Sequence, residues 1–318
     1  MQTVEPTIVI ITHHANHLLV TALRSMEQQN VPLSTVVLHS HERQIDWPTW
    51  IQSHHLSDNF TYHWLGGNMG YAHAVNWAFA NCSGPLFILN DDVQLDSKCI
   101  ESLIRAHEHS PATILQPVIY LSDHPEVIEN AGHRIHIDGM NSAVSRGQDA
   151  PVQRTNRLCF SGAAVWIPEV VYRHPRLTSM DPDLSPFGED VDYSLRCIRY
   201  GFKIQTVPQA TLCHHWGGSF ARYSDQKVTW VESHRIQAKI KNLPWWMILC
   251  SPISSSLRYL QSHNDTRVPK EERLRAIFAT VHGIRTGYQH LPKSLQKRRS
   301  ERFTVSDWNF TIQWWRQR

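Results

Sequence analysis

The first half of the chain alternates short apolar runs with stretches of helical spacing. Residues 7–12 read Thr-Ile-Val-Ile-Ile-Thr, a continuous run rich in β-branched residues, as in a parallel strand that is buried on both faces. The same alternation continues with strands predicted at residues 35–38, 60–65 and 85–89 and helices predicted at residues 18–29, 71–81 and 99–109. Strands that alternate with helices predict βαβ units and a parallel sheet. In such sheets, ligands bind beyond the carboxyl ends of the strands.

The pattern changes after residue 112. Further strands are predicted at residues 114–121, 134–137, 158–167, 203–207 and 211–213, with one helix at residues 191–200. From about residue 225 the chain is helical and basic, and four prolines interrupt it, at positions 244, 252, 269 and 292. We therefore predict a mixed α/β domain over residues 1–222, divided near residue 112, and a helical extension over residues 223–318.

Composition narrows the class of protein. Hydrophobic residues make up 41% and charged residues 19% of the chain, as in ordinary folded proteins. The net charge of +3 gives no reason to expect a nucleic-acid partner. The six cysteines form no C-x-x-C pair, so neither a zinc ribbon nor a redox motif is indicated. Several of them lie in apolar strand-like runs, which favours a reducing compartment. With no signal-peptide pattern and no apolar run of about 20 residues, we expect a cytoplasmic protein.

Two adjacent acids follow the fourth predicted strand. Residues 87–92 read Phe-Ile-Leu-Asn-Asp-Asp, so Asn90, Asp91 and Asp92 lie where an apolar strand ends. Carboxylate oxygens suit Mg²⁺ or Mn²⁺, and such sites commonly share the metal with substrate phosphates. A cap at the start of the next helix is the alternative interpretation.

A second acidic pair begins the helix predicted near residue 191. Glu189 and Asp190 lie where the helix dipole favours an ionised carboxylate, which can accept a hydroxyl proton as a general base. Plain helix capping, with Asp192 and Arg196 as an i,i+4 ion pair, is the alternative.

The third segment, residues 214–219, reads His-His-Trp-Gly-Gly-Ser. A neutral imidazole can complete a metal site that is otherwise made of oxygens, and the two glycines would let the backbone approach a phosphate closely. A loop that buries its tryptophan is the alternative.

These three segments, in this order, resemble the motifs of family-two glycosyltransferases of the GT-A fold, and in particular the bacterial rhamnosyltransferase-like group. Other matching segments are residues 67–76, Asn130-Ala131-Gly132, Arg146-Gly147, Ser161-Gly162-Ala163 and Lys241-Asn242-Leu243. The similarity covers roughly residues 7–290. It implies a Rossmann-like mixed sheet flanked by helices, with a nucleotide-sugar half to about residue 112, an acceptor half over residues 113–222 and the helical extension.

The resemblance also implies roles for individual residues. Asp92 and His214 would bind the metal, Mg²⁺ or Mn²⁺, with His215 as the substitute for His214, and Asp190 would be the base. The nucleotide-sugar pocket would contain Thr12, Glu42, Asn68, Gly70, Asn76, Asp91 and Trp216. The acceptor pocket would contain Ser161, Gly162, Ala163 and Glu189.

One departure from the family concerns the nucleobase. The family usually carries an acid just after the second strand, where this chain has His39 and Ser40. Glu42 is the candidate substitute, from further along the loop.

The function implied is an inverting sugar transfer from a nucleoside-diphosphate sugar, dTDP-rhamnose or a UDP-sugar, to a glycan or lipid-linked glycan in the synthesis of bacterial surface polysaccharides such as O-antigen. One alternative is an inert sugar-binding or scaffold protein of the same fold. The other is a nucleotidyltransferase, which would normally show a glycine-rich, basic phosphate loop that residues 12–16 lack.

The sequence of the helical extension does not decide what the extension binds. Residues 293–302 contain five Lys and Arg against one acid, which predicts either a solvated helix face or attraction to acidic lipid. A stripe of Leu274, Ile277, Phe278, Val281 and Ile284, together with several tryptophans, suits either a cover on the catalytic domain or on a second subunit, or an anionic membrane surface. A homodimer and peripheral membrane attachment are therefore both expectations.

Overall fold

The computed structural model describes residues 5–148, 152–215, 224–263 and 270–317, and only the backbone of residues 261–263 and 270–273. The strands are β1 (Thr7–Thr12), β2 (Ser34–His39), β3 (Phe60–Trp64), β4 (Leu86–Asn90), β5 (Val93–Leu95), β6 (Thr113–Leu121), β7 (His124–Asn130), β8 (His133–Ile135), β9 (Asn141–Ala143), β10 (Asn156–Arg157), β11 (Ala164–Ile167) and β12 (Lys203–His214).

The helices that accompany these strands lie mainly in the first and last thirds of the chain. They are α1 (His17–Glu27), α2 (Trp47–Ser53), α3 (Tyr71–Asn81), α4 (Cys99–His109), α5 (Glu169–Tyr172), α6 (Glu189–Arg199), α7 (Asp225–Asn242), α8 (Trp245–His263), α9 (Lys270–Gln289), α10 (Leu291–Ser300) and α11 (Asp307–Trp315), with a 3₁₀ helix at Pro182–Leu184.

The central sheet is mixed and mostly parallel. Its main path runs in the order β10-β12-β6-β11-β4-β1-β2-β3. The pairs β1–β2, β1–β4, β2–β3 and β6–β12 are parallel, whereas β11 is antiparallel to both β4 and β6. Residues 8–10 of β1 are fully buried, which explains their unbroken apolar run. The predicted βαβ arrangement is therefore confirmed, and β1, β4, β6 and β12 end at the same edge.

One predicted strand is only partly formed. Residues 158–167 were expected to be extended throughout, but β11 begins at Ala164. Before it, Cys159 forms only an isolated bridge to His133 of β8, and the backbone groups that follow are bound by side chains. Ser161 donates its N–H to Gln116 Oε1 at 2.7 Å and Gly162 to Asp190 Oδ2 at 3.2 Å. An apolar pattern cannot reveal such partners, because they come from distant parts of the chain.

Proline does not end α8 as expected. Pro252 lies inside this helix, where it cannot donate to the carbonyl of Ile248. The hydroxyl of Ser251 donates to that carbonyl at 2.7 Å, so the acceptor keeps a partner and the helix continues. The two short strands predicted at residues 203–207 and 211–213 are likewise one strand, β12, with an irregularity between Val207 and Thr211.

The C-terminal helices pack on the α/β core. Residues 232–242 of α7 are buried throughout, and Leu243, Met247, Phe310 and Trp314 belong to the main hydrophobic cluster. The division at residue 222 stays a prediction, because α7 is shared between the two parts. Among the described helices, none is long and apolar enough to cross a bilayer.

Candidate active site

The carboxyl ends of the parallel strands open into one large cavity of about 1070 Å³, the size class of small-molecule sites. Thr12 ends β1, Asn90 ends β4 and His214 ends β12, and all three line the cavity together with Asp91 and Asp92. The topology therefore brings the first and third sequence motifs to one place. Thr12 donates its hydroxyl to Asp91 Oδ2, which fixes that carboxylate at the cavity wall.

Asp92 and His214 face each other in this cavity. Asp92 Oδ1 lies 3.2 Å from His214 Nε2, yet this buried oxygen makes no well-aligned hydrogen bond to any described residue. The other ring nitrogen, Nδ1, lies 2.8 Å from Glu129 Oε2. Each of the three side chains is at most 13% exposed. An imidazole thus lies between two buried carboxylates.

This arrangement controls the charge of the histidine. Burial opposes a charge on the ring, but the nearby carboxylates of Asp92 and Glu129 outweigh burial and raise the pKa of His214 to about 10. Without another cation, an imidazolium therefore balances the two carboxylates at neutral pH.

The same residues fit a divalent metal ion. Asp92 Oδ1 is a buried oxygen without a hydrogen bond to the described residues, and His214 Nε2 is directed at the same point. Carboxylate oxygen with imidazole nitrogen suits Mn²⁺ and similar ions. A carboxylate on the second ring nitrogen, here Glu129, is the usual way in which a metal-binding histidine is oriented.

Asp190 lines the same cavity and is held there by the backbone. Its Oδ2 accepts the N–H of Gly162 at 3.2 Å and its Oδ1 accepts that of Val191 at 2.8 Å. Tyr71 donates its hydroxyl to the carbonyl of Gly162 at 2.6 Å. Burial and the nearby carboxyl groups raise the pKa of Tyr71 well above its usual value, so this hydroxyl keeps its proton and fixes the loop that orients Asp190.

Glu189 is a different kind of acid from its neighbour. It is 6% exposed, and its Oε2 has no hydrogen-bond partner among the described residues. Burial and the charge of Asp190 raise the pKa of Glu189 to about 8. At neutral pH, Glu189 is therefore mainly a protonated acid that can donate a hydrogen bond into the cavity.

The turn before α6 depends on glycine. Gly188 has φ of 142°, and a Cβ there would lie 2.7 Å from Cβ of His234 on α7. A larger residue would push α6 away from α7, and with it the two acids that begin α6.

Asp192, the last acid of this motif, has a structural role. It is fully buried and pairs with Arg196 at 3.1 Å and Lys241 at 2.7 Å, and it accepts a hydrogen bond from Asn242 at 2.7 Å. Asp192 therefore forms the ion pair with Arg196 that was the alternative interpretation of this motif. The contacts also explain the Lys241-Asn242 segment, which fastens α7 to α6.

The other residues predicted from the sequence divide into two groups. On the cavity wall lie Asn68, Gly70, Ser161, Gly162 and Ala163. Away from it lie three others. Asn76 binds the backbone of Met180 through both ends of its amide, His215 binds Ser122 Oγ at 2.8 Å, and Glu42 accepts the N–H of Asn68 at 3.4 Å from behind the wall. Trp216, Gly217, Gly218 and Ser219 lie outside the described residues.

The geometry therefore favours His214 over His215 as the metal ligand. The side chain of Asn76 binds the backbone of Met180 and does not line the cavity. After β2, Ser40 lines the cavity, whereas His39 is buried and its Nδ1 lies 2.8 Å from the Tyr62 hydroxyl.

Two cavity residues, Glu129 and His133, were not predicted from the sequence. Both come from the strands that follow β6, and His133 lies between the Asn130 amide at 2.9 Å and the carbonyl of Phe160 at 3.2 Å. Burial lowers the pKa of His133, so it is neutral. Their nearness to the Asn130-Ala131-Gly132 motif was the only available signal.

A comparison with protein families agrees with this geometry. Residues 7–233 match the family described as glycosyltransferase like family 2. The chain belongs to this family. The mixed sheet is therefore the GT-A fold that was expected. A comparison with curated protein sequences gives no match.

Two solved structures share the fold, and a third is less similar. GalNAc-T7 with UDP, GalNAc and Mn²⁺ is 14% identical with a TM-score of 0.57, and the match covers 74% of this chain but only 50% of that one. TarS 1–349 of S. aureus is 10% identical with a TM-score of 0.55, covering 95% and 94% of the two chains. A mannosyltransferase of Pyrobaculum calidifontis with GDP-Man and Mn²⁺ is 16% identical with a TM-score of 0.49, covering 93% and 73%.

Proposed function

We propose that this glycosyltransferase uses a divalent metal ion, Mn²⁺ or Mg²⁺, and transfers a sugar with inversion from a nucleoside-diphosphate sugar to a hydroxyl of a glycan or lipid-linked glycan. The observation that carries the proposal is the convergence, in one cavity, of the Asp92–His214 pair and the backbone-held carboxylate of Asp190. In this proposal the donor is dTDP-rhamnose or a UDP-sugar, and the reaction belongs to the synthesis of bacterial surface polysaccharides.

In this proposal Asp190 accepts the proton of the attacking hydroxyl. Positioned general bases contribute about 10²–10⁴ in rate, and the two backbone N–H groups keep the carboxylate in one orientation. Protonated Glu189 orients the acceptor as a hydrogen-bond donor. Asp92 and His214 would hold the cation, which would stabilise the negative charge on the leaving diphosphate. One displacement inverts the anomeric carbon, so no second carboxylate nucleophile is needed.

The donor is the first point to test. UDP-, dTDP- and GDP-sugars are screened by thermal shift with and without Mn²⁺, and the donor should stabilise the protein only when the metal is present. Slow hydrolysis of that donor should release the nucleoside diphosphate, whereas release of pyrophosphate would indicate a nucleotidyltransferase. If no donor and metal together raise the unfolding temperature, the proposed function is wrong.

The base is tested by Asp190→Asn. This variant should keep the metal-dependent thermal shift and lose turnover by about 10²-fold or more, and ¹H NMR of the wild-type product should show the inverted anomer. Glu108→Gln, at an exposed position on α4, is the control. Near-normal turnover of Asp190→Asn, or a retained anomeric configuration, would contradict the assignment.

A further inference from the structure

The outer face of α8 is apolar and exposed. Its large side chains recur at helical spacing, so they lie on one side of the helix. They are Trp246, Leu249, Ile253, Leu257 and Leu260, between 37% and 76% exposed. A helix that packs in a soluble protein normally presents such a stripe to the core, and this one presents it to the outside.

Helix α9 repeats the pattern. Leu274, Ile277, Phe278 and Val281, four members of the stripe predicted from the sequence, are between 39% and 72% exposed. The stripe therefore does not pack on the catalytic domain, which was one of the possibilities that the sequence left open. Contiguous exposed apolar faces of this kind mark a surface that binds a partner.

The inward faces of the two helices show why the stripes point outward. On α8, Arg258 pairs with Asp138 at 2.8 Å and with Glu232 at 3.1 Å, and the Tyr259 hydroxyl donates to Glu232 at 2.7 Å. The polar side of α8 is thus the buried side.

On α9, the side that packs against α7 carries glycine. A Cβ at Gly283 would lie 2.6 Å from the carbonyl oxygen of Thr229, and one at Gly287 would lie 2.9 Å from Cβ of Ile236. Both helices rest on α7, where Lys239 donates to Ser251 of α8 at 2.7 Å and lies 6.0 Å from the ring centre of Tyr288 on α9.

Charge indicates the nature of the partner. Residues 224–318 contain 17 Lys and Arg against 7 Asp and Glu, whereas residues 1–223 contain 14 against 21. No acid occurs in residues 245–263 or 274–289, and Arg275 and Arg285 are exposed on α9. The apolar faces are therefore bordered by two exposed arginines of α9, with no acid in these two ranges, which suits a negatively charged partner with an apolar interior.

The basic run at residues 293–302 contributes less exposed positive charge than its composition suggests. Lys293 and Lys297 pair with Asp183, Lys297 also binds Asp181, and Arg298 donates to the carbonyls that end α7. These cations hold α10 on the molecule, so the exposed positive charge of the run comes mainly from Arg299 and Arg302.

We propose that the outer faces of α8 and α9 bind the surface of an anionic lipid bilayer, with the leucine and phenylalanine side chains in the interfacial region and the arginines at the headgroups. The alternative occupant is a second copy of the chain. Charge disfavours it, since two copies joined through this face would bring two positive surfaces together. The proposal does not depend on the proposed sugar transfer, although α7 places Lys227, Trp230 and Arg235 on the wall of the active-site cavity.

Cosedimentation with vesicles tests the proposal without any substrate. The purified full chain should bind phosphatidylcholine vesicles that contain about 30% phosphatidylglycerol at least about tenfold more strongly than pure phosphatidylcholine, and salt should weaken the binding. Ile253→Ser with Phe278→Ser should reduce binding at least about tenfold. Val170→Ser, at a 53% exposed apolar position on α5, is the matched control and should bind as the wild type does.

A label shows whether the face itself meets the lipid. Cys250 is exposed and lies on the apolar side of α8, whereas the other cysteines are partly or fully buried. An environment-sensitive fluorophore on Cys250 should shift to the blue when anionic vesicles are added. Circular dichroism and the unfolding temperature show that the double variant folds.

Three results would overturn the proposal. They are equal binding to neutral and anionic vesicles, unchanged binding of the folded double variant, and a dimer in sedimentation velocity that the double variant abolishes while the wild type binds no vesicles. The last result would assign the face to a second copy.

Discussion

Replacement of Glu129 by alanine should weaken metal binding although Glu129 is not expected to touch the metal. The carboxylate accepts the hydrogen bond of His214 Nδ1 at 2.8 Å, and His214 Nε2 then faces Asp92. Without Glu129, the ring is free to rotate, and its Nδ1–H loses a buried partner. The metal site would keep both proposed ligands but not the orientation of one of them.

The size of the effect follows from the burial of the pair. The side chains of His214 and Glu129 are 10% and 13% exposed, so water replaces the lost carboxylate poorly. Loss of such a supporting contact typically lowers metal affinity about 10–100-fold, or about 1.4–2.7 kcal/mol. Glu129→Gln keeps an acceptor for Nδ1–H but removes the charge, and it should lose less than Glu129→Ala.

The assay is a direct titration with Mn²⁺ in the presence of the nucleoside diphosphate, in which electron paramagnetic resonance measures the concentration of the free ion. His215→Ala is the matched control, because His215 is the adjacent histidine and its ring binds Ser122 away from the cavity. It should bind Mn²⁺ as the wild type does. His214→Ala sets the scale for complete loss of a ligand.

Unchanged Mn²⁺ affinity in Glu129→Ala would refute the reasoning, and so would an equal loss in His215→Ala. A loss in Glu129→Ala as large as that in Asp92→Asn would show that Glu129 binds the metal directly.

Three further predictions concern stability and metal removal. Glu189 has a pKa of about 8 in the folded protein, against an ordinary value of 4.5. Between these pH values unfolding releases a proton, so the stability of the wild type falls as pH rises. Glu189→Gln should therefore be more stable than the wild type at pH 8, by up to a few kcal/mol, and nearly equal to it at pH 4.5. Urea unfolding at the two pH values measures this, with Glu108→Gln as control, and a difference that does not depend on pH would contradict it. Asp192→Ala leaves the buried Lys241 and Arg196 without their shared partner and should destabilise the protein by about 3–5 kcal/mol, measured by chemical unfolding; a loss below about 1 kcal/mol would show that water reaches the network. Chelation with EDTA should abolish turnover, and Mn²⁺ should restore it; turnover that persists in metal-free buffer would exclude the cation at Asp92 from the reaction.

The parallel part of the sheet was predictable because its signal is local. Each of β1, β2 and β4 is a short run that is almost entirely buried, whereas β3 at the edge of the sheet is only partly buried. The acids after β4 and the histidine after β12 could be placed at one edge from topology alone, since parallel strands end together.

The acceptor side of the site depends on contacts that a sequence does not display. Glu129 reaches His214 across 85 positions, and Gln116 holds Ser161 across 45. Neither residue belongs to a pattern of its own. The direction of the α9 stripe was left open for another reason: helical spacing shows that an apolar face exists, whereas its direction depends on the polar and glycine contacts of the opposite face.

The close packing of α9 against α7 has a mechanical consequence. At Gly283 the backbone of α9 lies directly against the backbone of Thr229, and at Gly287 it lies against Ser233 and the side chain of Ile236, so little space is left for one helix to move relative to the other. A displacement of α9 toward the molecule should therefore move α7 as well. Since α7 also forms a wall of the active-site cavity, the shape of that cavity is tied to whatever holds the outer helices in place.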